Sequence, residues 1–255
     1  MKDMSAVNEA RATAMVGTSP LERGREKDAA ALMWVWRWGW SSASTTDSVV
    51  AKQRGVVKRL ADKKLLRYHE TEGYRSKYYP ARVIVLSKAG VELLGDRIDL
   101  KMRHITAEDV AWHQLRHDHA VQVWTAKKLQ EGLIVDYITP REMAKRSEIG
   151  AKQPDAIWTL NDGAKMAIEL ELTYKKPREK HGMISKLTRL LSKGAVDHVL
   201  IVTQSEATAQ DLRKLIAPGA RRPQWVLFQR KYISQATQDV APDWLSERIT
   251  IEVLP

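Results

Sequence analysis

The chain contains no cysteine. Disulfides, cysteine-ligated zinc and thiol chemistry are thereby excluded. Long apolar runs are missing as well. No stretch approaches the ~18 residues of a membrane span, and the tryptophan-rich segment Trp34–Trp40 is short and interrupted by Arg37. Residues 1–26 are polar and of mixed charge, without the apolar core of a signal peptide, and are expected to form a flexible arm or a short capping helix. There is no internal repeat, no low-complexity tract and no basic amphipathic membrane helix. What remains is the composition of a soluble globular protein, 44% hydrophobic and 29% charged. Its 255 residues are enough for two modest domains or one large one. A cytoplasmic protein without membrane insertion is expected.

The net charge of +11 implies a polyanionic partner, and nucleic acid is the favoured one. The excess is concentrated. Between Val50 and Lys88 eleven Lys or Arg stand against the three acids Asp62, Glu70 and Glu72. Apolar periodicity predicts a helix over Asp28–Trp38, ended by Gly39 and followed by a break at Ser41–Thr46. It predicts a further helix over Ala51–Leu66, with Val56, Val57, Leu60 and Leu65 inward and Lys52, Gln53, Arg54, Lys58 and Arg59 mostly on other faces. A major groove accepts such a helix, Arg and Gln reading base edges while Lys neutralises phosphate. Strands over Leu66–His69 and Tyr78–Leu86 flank a polar turn containing Gly73, and a Ser-capped helix covers Ser87–Leu94. The alternation of Trp34, Trp36, Trp38 and Trp40 suits a strand better than a helix. It suggests two rings in a core and two at a domain or dimer interface.

The span VVKRLADKKLLRYHETEGYRSKYYPARVIVLSKAGVELL resembles the winged-helix family, with VLSKAGVELL similar to the helix that closes that fold. The resemblance implies a DNA-binding domain over residues 27–100, with Arg75 and Lys77 as wing contacts to duplex DNA.

Beyond it a second domain is expected over residues 105–255. A long helix is predicted over Asp109–Glu131, with Leu115, Val121, Trp124 and Leu129 inward. Strands follow over Leu133–Thr139, Pro154–Leu160 and Met166–Thr173, the last two joined by an Asn161–Asp162–Gly163 hairpin turn. A helix over Arg178–Lys193, a strand over His198–Thr203, a helix over Glu206–Ile216 and a strand over Trp225–Phe228 complete an α/β order. A mixed sheet flanked by helices is the expected architecture. Pro154–Asp155 opens one hairpin strand, and Glu169 and Glu171 lie two apart on the next, hence on one face. Carboxylates so placed repel one another unless a cation sits between them, and Mg²⁺ or Mn²⁺ prefers such oxygen ligands. The alternative is an edge strand with its polar face in water. The segment WHQLRHDHAVQVW sets His113 and His117 four apart, at metal-ligand spacing on a helix, although no zincin motif is present. For His117 and His119 hydrogen bonding within the fold is the favoured reading. Glu142 reads as a solvated loop acid. Tyr137 and Tyr174 lack the three-His signature that a tyrosine nucleophile would need.

This order of helix, strand, PD, strand, ExE and helix resembles the PD-(D/E)xK nuclease superfamily. With the winged helix in front, the whole is similar to the replication-relaxation family, akin to conjugative relaxases of the MOBC class. The resemblance implies a divalent-metal-dependent nickase acting at a plasmid transfer or replication origin, with Asp155, Glu169 and Glu171 at the metal. Relaxosome proteins or a second copy of the chain remain open as partners. The usual lysine is replaced by Glu171, so Lys175 or, by preference, Lys186 on the following helix would supply that charge. His113 would sit near the sheet as a ligand or acid–base group. The competing reading is a DNA-binding accessory factor or regulator whose nuclease-like domain has lost catalysis.

Overall fold

The structure, a computed structural model, describes residues 19–50, 53–71, 78–98, 102–144, 153–228 and 231–254. Contacts divide the chain after Val110 into two compact units, residues 78–80 being counted with the second. The architecture is mixed α/β, with a mixed five-stranded sheet in the second unit. No helix among the described residues is long and apolar enough to cross a membrane.

The first unit opens with α1 (Pro20–Trp38), so residues 20–26 are helical rather than a flexible arm. The cause is local. Ser19 accepts a hydrogen bond from the Glu22 amide while the Glu22 carboxylate accepts one from the Ser19 amide, and Pro20 occupies the first turn. Trp34, Trp36 and Trp38 lie on this helix, and all three are buried together with Trp40. The alternation therefore marks neither a strand nor an exposed interface. Helix α1 is covered by α2 (Ala43–Val50), α3 (Val56–Asp62), α4 (Lys88–Leu94) and strand β2 (Arg82–Leu86), so positions about 200° apart on the helix are both inside. Trp34 donates its indole N–H to Ser41 Oγ at 3.0 Å.

The single helix expected over Ala51–Leu66 is also corrected. The break expected at Ser41–Thr46 falls at its start: residues 39–42 separate α1 from α2, and Ser42 Oγ caps α2 by accepting from the Thr45 amide at 3.1 Å. Helix α3 begins only at Val56, after Gly55 at φ 92°, a left-handed position that ends any continuous helix through it. Asp47 holds this turn, accepting from the Gly55 amide at 2.8 Å and the Val57 amide at 2.9 Å. Strands β1 (Leu66–Glu70) and β2 pair antiparallel, and Ser41 adds a bridge to Ile84. The second strand is thus shorter than expected, and most of the turn before it lies outside the described residues. Ser87 caps α4, whose Gly90 lies so close to β1 that a Cβ there would collide with the Leu65 carbonyl oxygen.

In the second unit the long helix expected from Asp109 is three pieces. Two 3-10 turns, Ala107–Asp109 and Trp112–Gln114, precede α5 (Leu115–Gln130). The sheet runs β3 (Ile134–Ile138), β4 (Ala156–Leu160), β5 (Lys165–Glu171), β6 (His198–Thr203) and β9 (Ile249–Val253) in that spatial order. It is antiparallel from β3 to β5 and parallel from β5 to β9. One face of the sheet meets α5, where the Trp158 indole N–H donates to Thr125 Oγ1 at 3.0 Å. The other carries the apolar core of Ala167, Val199, Ile201 and Ile251 beneath α7 (Pro177–Ser192) and α8 (Glu206–Ile216). Helix α6 (Pro140–Ala144) follows β3, and Glu142 caps it by accepting from the Thr139 amide at 2.8 Å. Strands β7 (Arg221–Phe228) and β8 (Lys231–Val240) form a separate antiparallel ribbon, and α9 (Leu245–Arg248) leads into β9. Neither β8 nor β9 is among the strands expected above, although Ile249–Val253 alternates apolar with polar residues, and β7 is longer than its apolar tail suggests.

Candidate functional site

Strand β4 stops at Ala156 while β5 continues to Glu171, and that overhang creates the site. The Asp155 amide donates to the Ile168 carbonyl at 2.8 Å. The paired register ends at Ala156 against Ile168, so Asp155 lies just past the last pair, beside the stretch of β5 on which Glu169 and Glu171 share one face. The hairpin therefore places the three carboxylates predicted from sequence at one end of the sheet. Glu169 is 1% exposed and Glu171 5%.

On the overhang the Leu170 peptide is closed by side chains. Asp155 Oδ2 accepts from the Leu170 amide at 2.7 Å, and His117 Nε2 donates to the Leu170 carbonyl at 3.0 Å. His117 Nε2 also lies 3.1 Å from Asp155 Oδ2, and its Nδ1 lies 3.1 Å from Asp118 Oδ1. With acceptors at both ring nitrogens, only the doubly protonated imidazolium satisfies every contact. Burial alone would lower the His117 pKa, but hydrogen bonds and charge from Asp118 and Asp155 outweigh it and raise the value to about 10. Glu171 pairs with Lys175, whose Nζ also lies 3.9 Å from Met183 Sδ. Among the described residues no three His, Asp or Glu side chains come together in a metal-holding arrangement.

The remaining sequence-predicted residues are dispersed. His113 is exposed in the 3-10 turn before α5, so it does not share a helical face with His117; the α-helical register begins only at Leu115. The histidine that reaches the sheet is His117. His119 is buried, with Nδ1 donating to the Tyr78 carbonyl at 2.8 Å, and burial lowers its pKa. Lys186 is exposed on α7, whose Met183, Ile184 and Leu187 face the sheet. Lys175, not Lys186, is the lysine found at the carboxylates. Tyr174 is 74% exposed, with Lys180 Nζ 5.0 Å from its ring centre, whereas Tyr137 is buried.

In the first unit Lys52, Arg75 and Lys77 lie outside the described residues. Gln53 and Arg54 are exposed in the turn before α3 rather than on the helix, and Lys27 donates to Gln53 Oε1 at 3.0 Å. Lys58 is exposed on α3. Arg59 turns to Asp28 of α1 in an ion pair that Lys63 joins at 3.2 Å, so Arg59 serves helix packing. Asp47 and Asp118 carry structural work that the sequence pattern did not single out. The (i, i+1) step from His117 to Asp118 was the available signal for the latter.

Compared with known proteins, the chain matches no family model, no curated protein and no solved structure.

Proposed function

We propose that the chain is a DNA-processing protein whose first unit is a winged helix that holds duplex DNA and whose second unit is a PD-(D/E)xK-type core that nicks one strand. Support for the first half is the order of three helices, a two-stranded antiparallel sheet and a closing helix, with Arg54 and Lys58 exposed at α3. Support for the second half is the order α5, β3, β4, β5, α7, β6 around a mixed sheet. The observation that carries the reading is the overhang of β5 beyond the last β4 pair, where Asp155 Oδ2 accepts from the Leu170 amide between the buried Glu169 and Glu171.

Oxygen donors of this kind are what a divalent cation takes, but Asp155 turns to His117 and Glu171 to Lys175, so among the described residues the three do not converge and a cation would have to displace those partners. Bound there, Mg²⁺ or Mn²⁺ would activate water and offset charge on the phosphodiester. The chain's own groups do the rest. Lys175 keeps positive charge beside Glu171, and His117 fixes Asp155 and the end of β5. The resemblance in sequence points to an origin of transfer or replication as the target.

A second reading is a DNA-binding accessory factor or regulator without cleavage. It is favoured by one observation: His117 and Lys175 already neutralise Asp155 and Glu171. Supercoiled plasmid carrying candidate origin DNA, incubated with Mg²⁺, Mn²⁺ or EDTA, separates the two. Nicking is expected with metal only, and Glu169→Gln should slow it by on the order of a hundredfold or more. Duplex binding without nicking under every metal would establish the second reading instead.

A further inference from the structure

The second unit carries a groove of about 1030 Å³ between α7 and the β7–β8 ribbon, away from the carboxylates except at one end. That end is Lys175, the partner of Glu171. Along the α7 wall stand Arg178, Lys186 and Arg189, which recur at eight and eleven residues from the first and so lie on one helical face. Lys186 and Arg189 have no carboxylate partner among the described residues, and both are exposed.

The two acids in the wall are already engaged. Glu179 accepts from the Lys176 amide at 2.9 Å. Asp239 accepts from Ser185 Oγ at 2.8 Å and from Arg222 Nη2 at 3.0 Å. Arg222 is fully buried, and its Nε and Nη1 have no partner among the described residues. A buried guanidinium keeps its proton, so Arg222 cancels the charge of Asp239 and leaves Lys186 and Arg189 as the uncompensated charges of the wall. The groove is therefore electropositive in spite of its acids.

The opposite wall is built for a flat ligand. A bulge between Pro223 and Trp225 breaks the alternation of β7, so three consecutive residues, Pro223, Gln224 and Trp225, line the groove. The Trp225 ring is oriented by its N–H, which donates to His181 Nδ1 at 3.3 Å. Gly182 lies on α7 where a Cβ would meet nothing within 4 Å, which leaves the groove open.

We propose that this groove binds single-stranded DNA, with Arg178, Lys186 and Arg189 along the phosphates and Trp225 stacked on a base. Cations tracking a backbone beside an aromatic ring are the physical basis of sequence-tolerant single-strand binding. A duplex does not fit the same chemistry, because its bases offer edges rather than faces to a ring recessed in a wall. The proposal rests on the DNA reading above but not on cleavage.

The test measures binding of the full chain to a labelled oligo-dT, to the same length of oligo-rU and to a hairpin duplex, over a series of salt concentrations. Three groove variants are compared with the parent: Trp225→Ala, the double variant Lys186→Ala/Arg189→Ala, and Gly182→Leu, whose Cβ would enter open space. Each should weaken oligo-dT binding about tenfold or more and leave duplex binding unchanged. The double variant should also make the salt dependence shallower by about 0.7 for each phosphate it no longer neutralises. Arg54→Ala/Lys58→Ala, by contrast, should weaken duplex binding only. Parent-like oligo-dT binding in all three groove variants overturns the proposal, and so does tighter binding of oligo-rU than oligo-dT. Failure of the parent to bind oligo-dT while it binds duplex removes the groove proposal alone; failure to bind either removes the DNA reading with it.

Discussion

The two units treat charge in opposite ways. In the first, acids sit near the surface and tie local structure: Asp47 holds the turn into α3, and Asp28 joins α1 to Arg59 and Lys63. Its core is apolar, built on Leu32, Val35, Leu60, Ile84 and four tryptophans. The second unit takes charge inside. Glu169, Glu171, Lys180 and Arg222 are all buried, and His117 is held between two carboxylates. Burying an ion costs several kcal/mol unless partners compensate, and replacing such pairs with apolar groups is often neutral or stabilising. Among the described residues, buried charge is confined to the second unit.

The sharpest break of this contrast is expected from the apolar side. Trp36→Ala should cost about 3–5 kcal/mol, as large-to-small changes of buried aromatics do. Hydrogen exchange read by peptide should show reduced protection in residues up to Val110 and full protection in the sheet of the second unit.

The next effect belongs to His117 and depends on pH. Its folded pKa of about 10 lies above the unfolded value of 6.5. The group therefore contributes stability that is full below about pH 6.5 and is lost as pH rises through about 10. The side chain is 35% exposed, so solvent screening reduces the contribution to roughly 1–2 kcal/mol. Urea denaturation at pH 6 and at pH 10 should show this loss in the parent, and His117→Gln should remove most of the difference. An unchanged pH dependence in the variant would mean that the imidazolium is not what holds Asp155.

The smallest effect tests the surface clamps. Asp47→Ala should lower stability by about 1 kcal/mol, the usual worth of a lost helix cap. The loss should localise to α3 and leave the second unit's exchange untouched.

Much of this contrast could be read in the chain before its structure. His198–Thr203 and Glu206–Ile216 have the bounds expected of them, because an apolar run bounded by turn residues and a Ser-capped amphipathic stretch are both local signals. The pairing of Asp155 with the Glu169 strand follows from counting outward from the Asn161–Gly163 turn. Other features depend on what covers an element rather than on its own pattern. A helix wrapped on several sides buries tryptophans two apart, which imitates a strand. Ser19–Glu22 was a legible start for α1, but the polar residues after it masked the signal. Which histidine meets the sheet turns on where α5 begins, and two 3-10 turns shift that start past His113. Strand β8 alternates polar with apolar residues too weakly to separate it from a loop, whereas β9 carries a strict alternation, Ile249, Ile251 and Val253 against Thr250 and Glu252, and was a legible signal. The partners of the carboxylates, His117 and Lys175, come from other elements, and no spacing along the chain records them.

Two helical glycines, alike in sequence, have opposite meanings in space. At Gly90 the Leu65 carbonyl fills the room that any side chain would need, so the position accepts one residue type. At Gly182 the same missing atom faces emptiness. Because the chain has no cysteine of its own, Gly182→Cys would create a lone thiol on the wall of the groove. A dye or spin label attached there would report occupancy of the groove from a single position, with no background to remove.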